Sequence, residues 1–148
     1  MIAYMKAALK EAEKASLKQE VPVGCVIVYQ DKIIAKAHNQ RLKKELTHAH
    51  AEILAIEKAN KKLGSWRLEA CDIYVTLEPC AMCAGAIMQA RMRKVVFAAA
   101  DPKNGALGGN FNLYDQTFNH HVLVESGLLK GESQALLQSF FKALREKK

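Results

Sequence analysis

The first part of the chain changes from a helical to a strand-like pattern of apolar positions. Residues 2–19 are rich in Ala, Lys, Glu and Leu at helical spacing, which predicts an amphipathic helix. Two apolar runs follow, Val23–Tyr29 and Lys32–Ala37, and only Gln30-Asp31 separates them. Two such runs joined by so short a polar connection predict a β-hairpin.

A second series of elements occupies the middle of the chain. After the polar loop Asn39–Thr47, apolar residues at helical spacing predict a helix from His50 to about Gly64. A strand at Ile73–Thr76, a helix at Cys80–Arg91 and a strand at Val95–Ala99 come next. Because this order is strand, helix, strand, we expect a right-handed crossover that makes the two strands parallel.

The last third of the chain opens with a long segment, Asp101–Phe118, that has three glycines and no periodic apolar face. It predicts a loop of a length that is more common in binding or lid segments than in plain connections. A short strand at Val122–Val124 and an amphipathic helix at about Ser133–Arg145 follow. Together the elements predict an α/β fold with helices packed on a mixed sheet. The 148 residues fit one domain of the usual ~100–200 residues, so we expect residues 1–148 to form a single domain.

Charge and hydropathy narrow the class of partner. The 22 basic and 15 acidic residues give a net charge of +7, which favours a polyanionic partner but is shared by many proteins that bind no nucleic acid. The N-terminal residues lack the apolar core of a secretory signal. No stretch approaches the ~18 apolar residues of a membrane span. We therefore expect a cytoplasmic protein that makes no use of a membrane.

The four cysteines are of two kinds. Cys25 and Cys71 each lie in a strand-like apolar run and are expected to be small buried residues. Cys80 and Cys83 form a Cys-x-x-Cys motif. In a reducing compartment such a pair binds a metal more often than it forms a disulfide.

His50, Cys80 and Cys83 are the candidate metal ligands. Zinc prefers thiolate and imidazole ligands, and a catalytic zinc usually has three protein ligands and one open position. The two cysteines are three residues apart, so a helix would project both sulfurs from one face. Pro79 suits the first turn of that helix, where unpaired N–H groups and the helix dipole favour thiolates. The pattern predicts an open zinc site, with one Zn²⁺ per chain.

Glu52 is the candidate proton carrier. It lies two positions after His50, which turns it to another side of the helix and makes it an unlikely fourth ligand. Zinc lowers the pKa of a bound water from ~15.7 to about 7. A carboxylate beside this water can move its proton to a ring nitrogen and then to departing ammonia, as hydrolytic deamination requires.

The arrangement His-x-Glu followed by Pro-Cys-x-x-Cys is the signature of zinc-dependent nucleobase deaminases. On this signature the chain resembles the cytidine and deoxycytidylate deaminase superfamily, and within it the branch that acts on adenosine in tRNA. The resemblance runs through Glu20–Gly24, Asn39, His50–Glu52, Thr76–Ala86, Val95–Phe97, Asp101–Gly105 and Phe140-Phe141.

The resemblance implies a cytidine-deaminase-like three-layer fold, with a mixed sheet of about five strands and helices on both faces. It also implies deamination of adenosine to inosine at the wobble position of a tRNA anticodon loop, in which zinc-bound hydroxide attacks C6 and Glu52 relays the proton to N1. Family members are homodimers, so we expect a homodimer. Asn39 and Val21 would hold the base, with the Asn39 side chain pairing to the adenine edge at two points. Asp101 would accept a hydrogen bond from a 2′-OH, and Lys103 and Asn104 would reach phosphates.

Some positions leave alternatives open. The residues before the motif, Leu46-Thr47-His48, depart from the Asp-Pro-Thr-like lead of the family, which puts the local loop geometry in doubt. His48 could complete a closed four-ligand site, and the protein would then be a non-catalytic, zinc-stabilised RNA-binding module. The same metal site could instead serve a deaminase of a free base or nucleotide, of the guanine or cytosine type.

Two further features have competing explanations. Glu78 could accept a hydrogen bond from a leaving amine or simply cap the helix that follows it. Phe140 and Phe141, with Lys142 and Arg145, could offer RNA a stacking and charged surface. For most of this last helix we favour an ordinary amphipathic helix, in which Leu137, Phe140 and Leu144 face inwards.

Overall fold

The computed structural model describes residues 1–147, so the last residue of the predicted domain lies outside the described part. The strands are β1 (Gly24–Tyr29), β2 (Lys32–His38), β3 (Cys71–Leu77), β4 (Lys94–Ala99) and β5 (Leu123–Ser126). The helices are α1 (Ile2–Leu17), α2 (Arg41–Lys44), α3 (Ala51–Leu63), α4 (Ala81–Gln89) and α5 (Lys130–Glu146).

The five strands form one mixed sheet in the order β2-β1-β3-β4-β5. β1 is antiparallel to both β2 and β3, whereas β3, β4 and β5 run parallel. The predicted parallel pairing of the strands on either side of α4 is therefore confirmed. Parallel strands bring their carboxyl ends to one edge of the sheet, and α4 leaves from that edge.

Side chains alternate between two cores, one on each face of the sheet. In β1, Cys25 and Ile27 belong to a core that includes residues of α3 and α4. Val26 and Val28 belong to the opposite core, which includes Met5 of α1. This alternation follows from the two-residue repeat of a strand. The mixed sheet with helices on both faces confirms the predicted fold class.

The hairpin between β1 and β2 turns where the sequence predicts. Gln30 and Asp31 have φ values of 51° and 62°. Positive φ at both central residues is the requirement of a type I′ turn, whose twist matches that of the flanking strands. The end of α3 is also as predicted, because Gly64 follows it in the left-handed conformation, with φ 64°.

Other boundaries differ from the predictions. α4 begins at Ala81 with Cys80 as its N-cap, so Pro79 precedes the helix and does not occupy its first turn. The helix ends at Gln89, and Arg91 has a φ of 63° that a helix does not accept. The long loop contains one turn of 3-10 helix at Leu113–Asp115.

Gly24 lets α1 pack closely on the sheet. A Cβ at this position would lie 2.0 Å from the Ala8 carbonyl oxygen and 2.4 Å from the Ala12 backbone nitrogen. Only glycine permits so close an approach of strand to helix. The contact places the end of α1, and Val21 after it, beside the carboxyl ends of β3 and β4.

Cys25 and Cys71 are buried free thiols, as predicted. Among residues 1–147, no helix has both the length and the apolar character that crossing a lipid bilayer would need.

Candidate active site

Two helix starts supply the three predicted metal ligands. His50 is the N-cap of α3 and Cys80 is the N-cap of α4, both with extended backbone conformation. Cys83 lies in the first turn of α4 and is fully buried. Glu78, two residues before Cys80, donates its backbone N–H to the Ala99 carbonyl at the end of β4. The turn that carries Cys80 is thus fixed to the carboxyl edge of the sheet.

The two nitrogen–sulfur separations are those of a tetrahedral site, and all three ligand atoms lie within 4.8 Å of one another. Nδ1 of His50 lies 3.5 Å from Sγ of Cys83 and 3.7 Å from Sγ of Cys80. Zinc bonds of ~2.0–2.1 Å to nitrogen and ~2.3 Å to sulfur, at tetrahedral angles, place ligand atoms about 3.5–3.8 Å apart. The donor set therefore fits a metal ion with no rearrangement of the side chains.

The two thiols are not equivalent. A hydrogen bond from the Cys83 side chain, together with one from His50, lowers the pKa of Cys80 to about 3. The same contact between the sulfurs, with burial, raises the pKa of Cys83. Cys80 is thus already a thiolate at neutral pH, which is the form that a metal binds.

Glu52 lies in the first turn of α3 and is only 4% exposed. Burial raises the pKa of its carboxyl to about 7. A group that titrates near neutral pH can both accept and return a proton. Among the described residues, the cluster of possible ligands consists of His50, Cys80 and Cys83, without Glu52.

His48 lies outside this cluster and is exposed. Its backbone carbonyl accepts a hydrogen bond from the His50 N–H at 2.8 Å. In this geometry His48 gives no support to the closed four-ligand site.

The ligand cluster opens into a cleft of about 740 Å³. The cleft contains every residue that the resemblance assigns to substrate binding. The residues that line the cleft include Val21, Asn39, Arg41, His50, Glu52, Glu78, Cys80, Asp101, Lys103, Asn104, Phe141, Leu144 and Arg145.

Asn39 connects the cleft wall to the start of α3. Its Oδ1 accepts a hydrogen bond from the Ala51 N–H at 2.8 Å. This satisfies one of the N–H groups that a helix start leaves unpaired. The Nδ2 amide group donates no hydrogen bond among the described residues, and Oδ1 keeps a second lone pair. The two-point pairing with an adenine edge stays a prediction.

Asp101, Lys103 and Asn104 lie on one segment, Asp101–Gly109, which we call the rim loop. Oδ1 of Asp101 accepts hydrogen bonds from the backbone N–H groups of Lys103 and Asn104, both at 3.1 Å. The turn leaves Lys103 and Asn104 exposed and Asp101 half-buried at the cleft. The Lys103 and Asn104 side chains can therefore reach a ligand outside the cleft while Asp101 faces into it.

Of the two roles that the sequence suggested for Glu78, the structure contradicts the helix cap, and the hydrogen bond from a leaving amine stays a prediction. Its carboxylate is directed to the rim loop, where it accepts hydrogen bonds from the backbone N–H groups of Asp101, Leu107 and Gly109. It caps no helix, since Cys80 is the N-cap of α4. The residue is 3% exposed, so this anchor is shielded from water.

The prediction for the last helix is wrong in part. Phe141, Leu144 and Arg145 of α5 line the cleft, and Phe141 and Leu144 are 41% and 47% exposed. Leu144 does not pack inwards. Arg41 also lines the cleft, although it is not among the predicted site residues. The basic cluster Arg41, Lys43 and Lys44, shortly before the His50 motif, is the sequence feature that could have indicated it.

The chain matches the MafB19-like deaminase family over residues 1–145. It is 53% identical, over 98% of its length and 91% of the relative, to the tRNA-specific adenosine deaminase of Bacillus subtilis (strain 168).

Two solved structures share the fold. One comes from work on A-to-I editing by tRNA:A34 deaminases at the wobble position of transfer RNA, with a TM-score of 0.87 and 41% identity over 93% of this chain and 100% of that one. The other is the guanine deaminase from Nitrosomonas europaea, with a TM-score of 0.79 and 27% identity over 94% of this chain and 83% of that one.

Proposed function

The chain belongs to the tRNA-specific adenosine deaminases, and from this premise we propose that it converts the wobble adenosine of a tRNA anticodon loop to inosine. The reaction consumes one water and releases one ammonia. A loop substrate suits such an enzyme, because its bases are partly unstacked and extracting one requires less than the few kcal/mol of a paired base.

One observation carries the proposal: a tetrahedral ligand set and a buried carboxylate with a pKa near neutral open into the same cleft. The ligand set suits a metal that activates water. The carboxylate suits transfer of the proton of that water. Hydrolytic deamination needs both groups within reach of one base.

We assign the metal as zinc, one ion per chain, held by His50, Cys80 and Cys83. When bound, zinc would supply the Lewis acidity that lowers the pKa of a water molecule from ~15.7 towards 7. Two thiolates and one imidazole match the ligand preference of zinc over hard cations.

Glu52 carries the protons. Its carboxylate accepts a proton from the attacking water and gives it to N1 of the adenine, while C6 gains the oxygen. A second transfer lets the C6 amino group depart as ammonia. Because Glu52 is buried, its carboxylate does not exchange these protons freely with solvent.

The base and the RNA backbone are held by different parts of the cleft. The Nδ2 amide of Asn39 donates to a purine acceptor, and Val21 packs against the ring. Asp101 accepts from a ribose 2′-OH through the oxygen that its own turn leaves free. Lys103 and Asn104 contact phosphates from the rim loop.

The charge of the cleft favours a nucleic acid over a free base. Arg41, Lys103 and Arg145 are exposed around its mouth. Phe141 offers an exposed ring on the same side, to which an unstacked base can bind. A free guanine carries no phosphate and would use none of these basic side chains.

We also propose that residues 1–148 act as one catalytic domain and that the active form is a homodimer. Met82 on α4 and Phe111 after the rim loop are 37% and 46% exposed, and a subunit contact would bury these apolar side chains. A tRNA substrate makes the cytoplasm the expected compartment.

To test the proposal, zinc-loaded protein is incubated with an anticodon stem-loop that carries a wobble adenosine. Its rate of deamination is compared with the rates for free adenosine, cytidine and guanine. We expect inosine in the stem-loop alone. Turnover of free guanine or cytidine would show that the protein is a deaminase of free bases or nucleosides. The similarity to the guanine deaminase is the observation that favours this alternative. No turnover of any substrate would favour the non-catalytic RNA-binding alternative.

A further inference from the structure

The Glu78 carboxylate is a buried charged group outside the proton-transfer chemistry. It lies at the end of β3, and its side chain forms part of the cleft wall. It is not one of the clustered ligand residues. A buried carboxylate needs strong hydrogen bonds to offset its desolvation. All of its hydrogen bonds in the described structure come from the rim loop.

We propose that Glu78 is a positioning residue that holds the rim loop in the shape in which it binds RNA, and thereby sets the KM for the RNA substrate. The inference rests on the proposed function, because it assigns Asp101, Lys103 and Asn104 to RNA binding. Among the described residues, the Glu78 side chain makes no hydrogen bond to His50, Cys80 or Cys83.

The hydrogen bonds span the whole rim loop. Oε1 of Glu78 accepts from the Asp101 N–H at 2.9 Å. Oε2 accepts from the Leu107 N–H at 2.9 Å and from the Gly109 N–H at 2.8 Å. One side chain therefore ties the first and the last residue of the loop to the same point, and both oxygens are needed.

The rim-loop backbone packs so closely on the Glu78 carboxylate that two of its positions have no space for a Cβ atom. A Cβ at Gly105 would lie 2.3 Å from Cδ of Glu78, and a Cβ at Gly109 would lie 2.4 Å from Oε1. Two glycines thus let the backbone close around the carboxylate. The neighbouring hydrogen bond from the Ala106 N–H to the Pro79 carbonyl, at 2.9 Å, holds the same turn of the loop.

The anchor lies between the RNA-binding residues and the metal site. Hydrogen bonds to a charged acceptor are stronger than those between neutral groups. Without them the loop samples other conformations, and the apparent affinity falls by the fraction of molecules in the competent shape. The metal ligands keep their own helix starts, so kcat should change less than KM.

The test compares Glu78→Gln with wild type and with a control, Asp72→Asn. Glutamine keeps one acceptor oxygen but turns an NH₂ group towards backbone N–H donors. Asp72 is a buried carboxylate at the other end of β3, paired with Arg93 and outside the cleft. The control therefore loses a buried charge from the same strand without touching the rim loop.

Four quantities are measured: zinc content, kcat for the stem-loop, KM for the stem-loop, and amide hydrogen exchange of residues 101–109. For Glu78→Gln we expect bound zinc as in wild type, a KM raised about tenfold or more, a kcat within about threefold of wild type and faster exchange in the loop. For Asp72→Asn we expect KM and loop exchange as in wild type.

A second pair of variants tests whether the contact itself is responsible. A Cβ in Gly109→Ala would meet both Oε1 of Glu78, at 2.4 Å, and the Asp101 carbonyl oxygen, at 2.3 Å. It forces the two ends of the rim loop away from the carboxylate, and we expect it to raise KM as well. If both changes break the same contact, the double variant should be less impaired than the product of the single effects.

Unchanged KM and unchanged exchange in Glu78→Gln would overturn the inference. So would a loss of zinc with equal loss of kcat, since Glu78 would then support the metal site instead. A wild-type protein that does not act on the stem-loop would overturn the proposed function separately, and the exchange measurement would still decide whether Glu78 holds the loop.

Discussion

Oδ1 of Asn39 accepts a hydrogen bond from the Ala51 N–H at 2.8 Å, so a residue that faces the cleft also fixes the first turn of α3. His50, the N-cap of that helix, is a metal ligand in the proposed site. In the proposed function, the position of one metal ligand and the recognition of the base therefore both depend on the Asn39 side chain. The contributions of its Oδ1 and its Nδ2 group can be tested separately by mutation.

Asn39→Asp should keep the metal and lose affinity for the base. The aspartate retains an oxygen for the Ala51 N–H, and a negative charge at a helix start is favourable. It lacks the NH₂ donor. We expect normal zinc content and a kcat/KM on the stem-loop about tenfold to a hundredfold lower, because a base contact of this kind contributes about 1–3 kcal/mol.

Asn39→Ala provides the comparison, because it removes the oxygen as well. It should reduce thermal stability by about 1 kcal/mol, the usual cost of losing a helix cap, in addition to the loss of activity. Equal activity of Asn39→Asp and wild type would show that the amide donor has no part in binding.

Glu52→Gln should retain zinc and lose activity. Glutamine is similar in size to glutamate but cannot accept and return a proton. General acid and base catalysis contributes about 10²–10⁴ to a rate, so we expect kcat to fall by about that factor. Metal analysis and single-turnover kinetics check the result. Substantial residual turnover would remove Glu52 from the proton path.

Chelation of the metal should abolish activity and leave the fold intact. The two apolar cores lie on the faces of the sheet and contain the packing that stabilises it. We expect an unchanged far-ultraviolet circular dichroism spectrum, a lower Tm, because the metal binds the native state alone, and recovery of activity on addition of zinc. Global unfolding on metal removal would favour the structural-zinc alternative.

Lys103→Ala and Arg145→Ala should each weaken the dependence of stem-loop binding on salt. Removing one phosphate contact on single-stranded RNA lowers the slope of log K against log salt by about 0.7. Lys61→Ala is the matched control, because Lys61 is exposed on α3 outside the cleft. Equal slopes for all three variants and wild type would place the RNA elsewhere.

The stability of the protein at acid pH should depend on Glu11, a buried residue of α1 that faces His38 of β2. Burial alone would raise the pKa of its carboxyl, but hydrogen bonds from Lys14 and His38 outweigh it and hold the pKa below its usual value of 4.5. A carboxyl with a lowered folded-state pKa adds stability above its unfolded-state pKa and loses it as the pH falls through the folded-state value.

Glu11→Gln should therefore be less stable than wild type at pH 7, and the difference should shrink as the pH falls below about 4.5. Urea unfolding of both proteins across this range measures it. The groups facing the carboxylate are His38 on β2, with Nδ1 at 3.1 Å, and Lys14 on α1, with Nζ at 2.7 Å. A difference that is constant with pH would mean that the carboxylate charge contributes nothing.

The amino-acid sequence by itself determined the order of the main helices and strands, the hairpin at Gln30-Asp31, the parallel crossover around α4 and the three candidate ligands that the fold brings together. These follow from local rules: the repeat of apolar positions, the conformations that turn residues accept, and the ligand chemistry of a Cys-x-x-Cys pair. His50 and Glu52 could be separated into different roles because their spacing on a helix fixes their relative directions.

Only the tertiary structure decided what Glu78, Asn39 and the last helix do. Glu78 and Gly109 are 31 positions apart, and the hydrogen bond between them exists only because the rim loop folds back on the carboxyl edge of the sheet. Leu144 has the spacing of a buried residue, but α5 packs on β3 and β4 and leaves that side chain in the cleft wall. Hydrophobic periodicity reports which faces of an element are apolar; which neighbour covers each face depends on contacts between residues that are distant in the sequence.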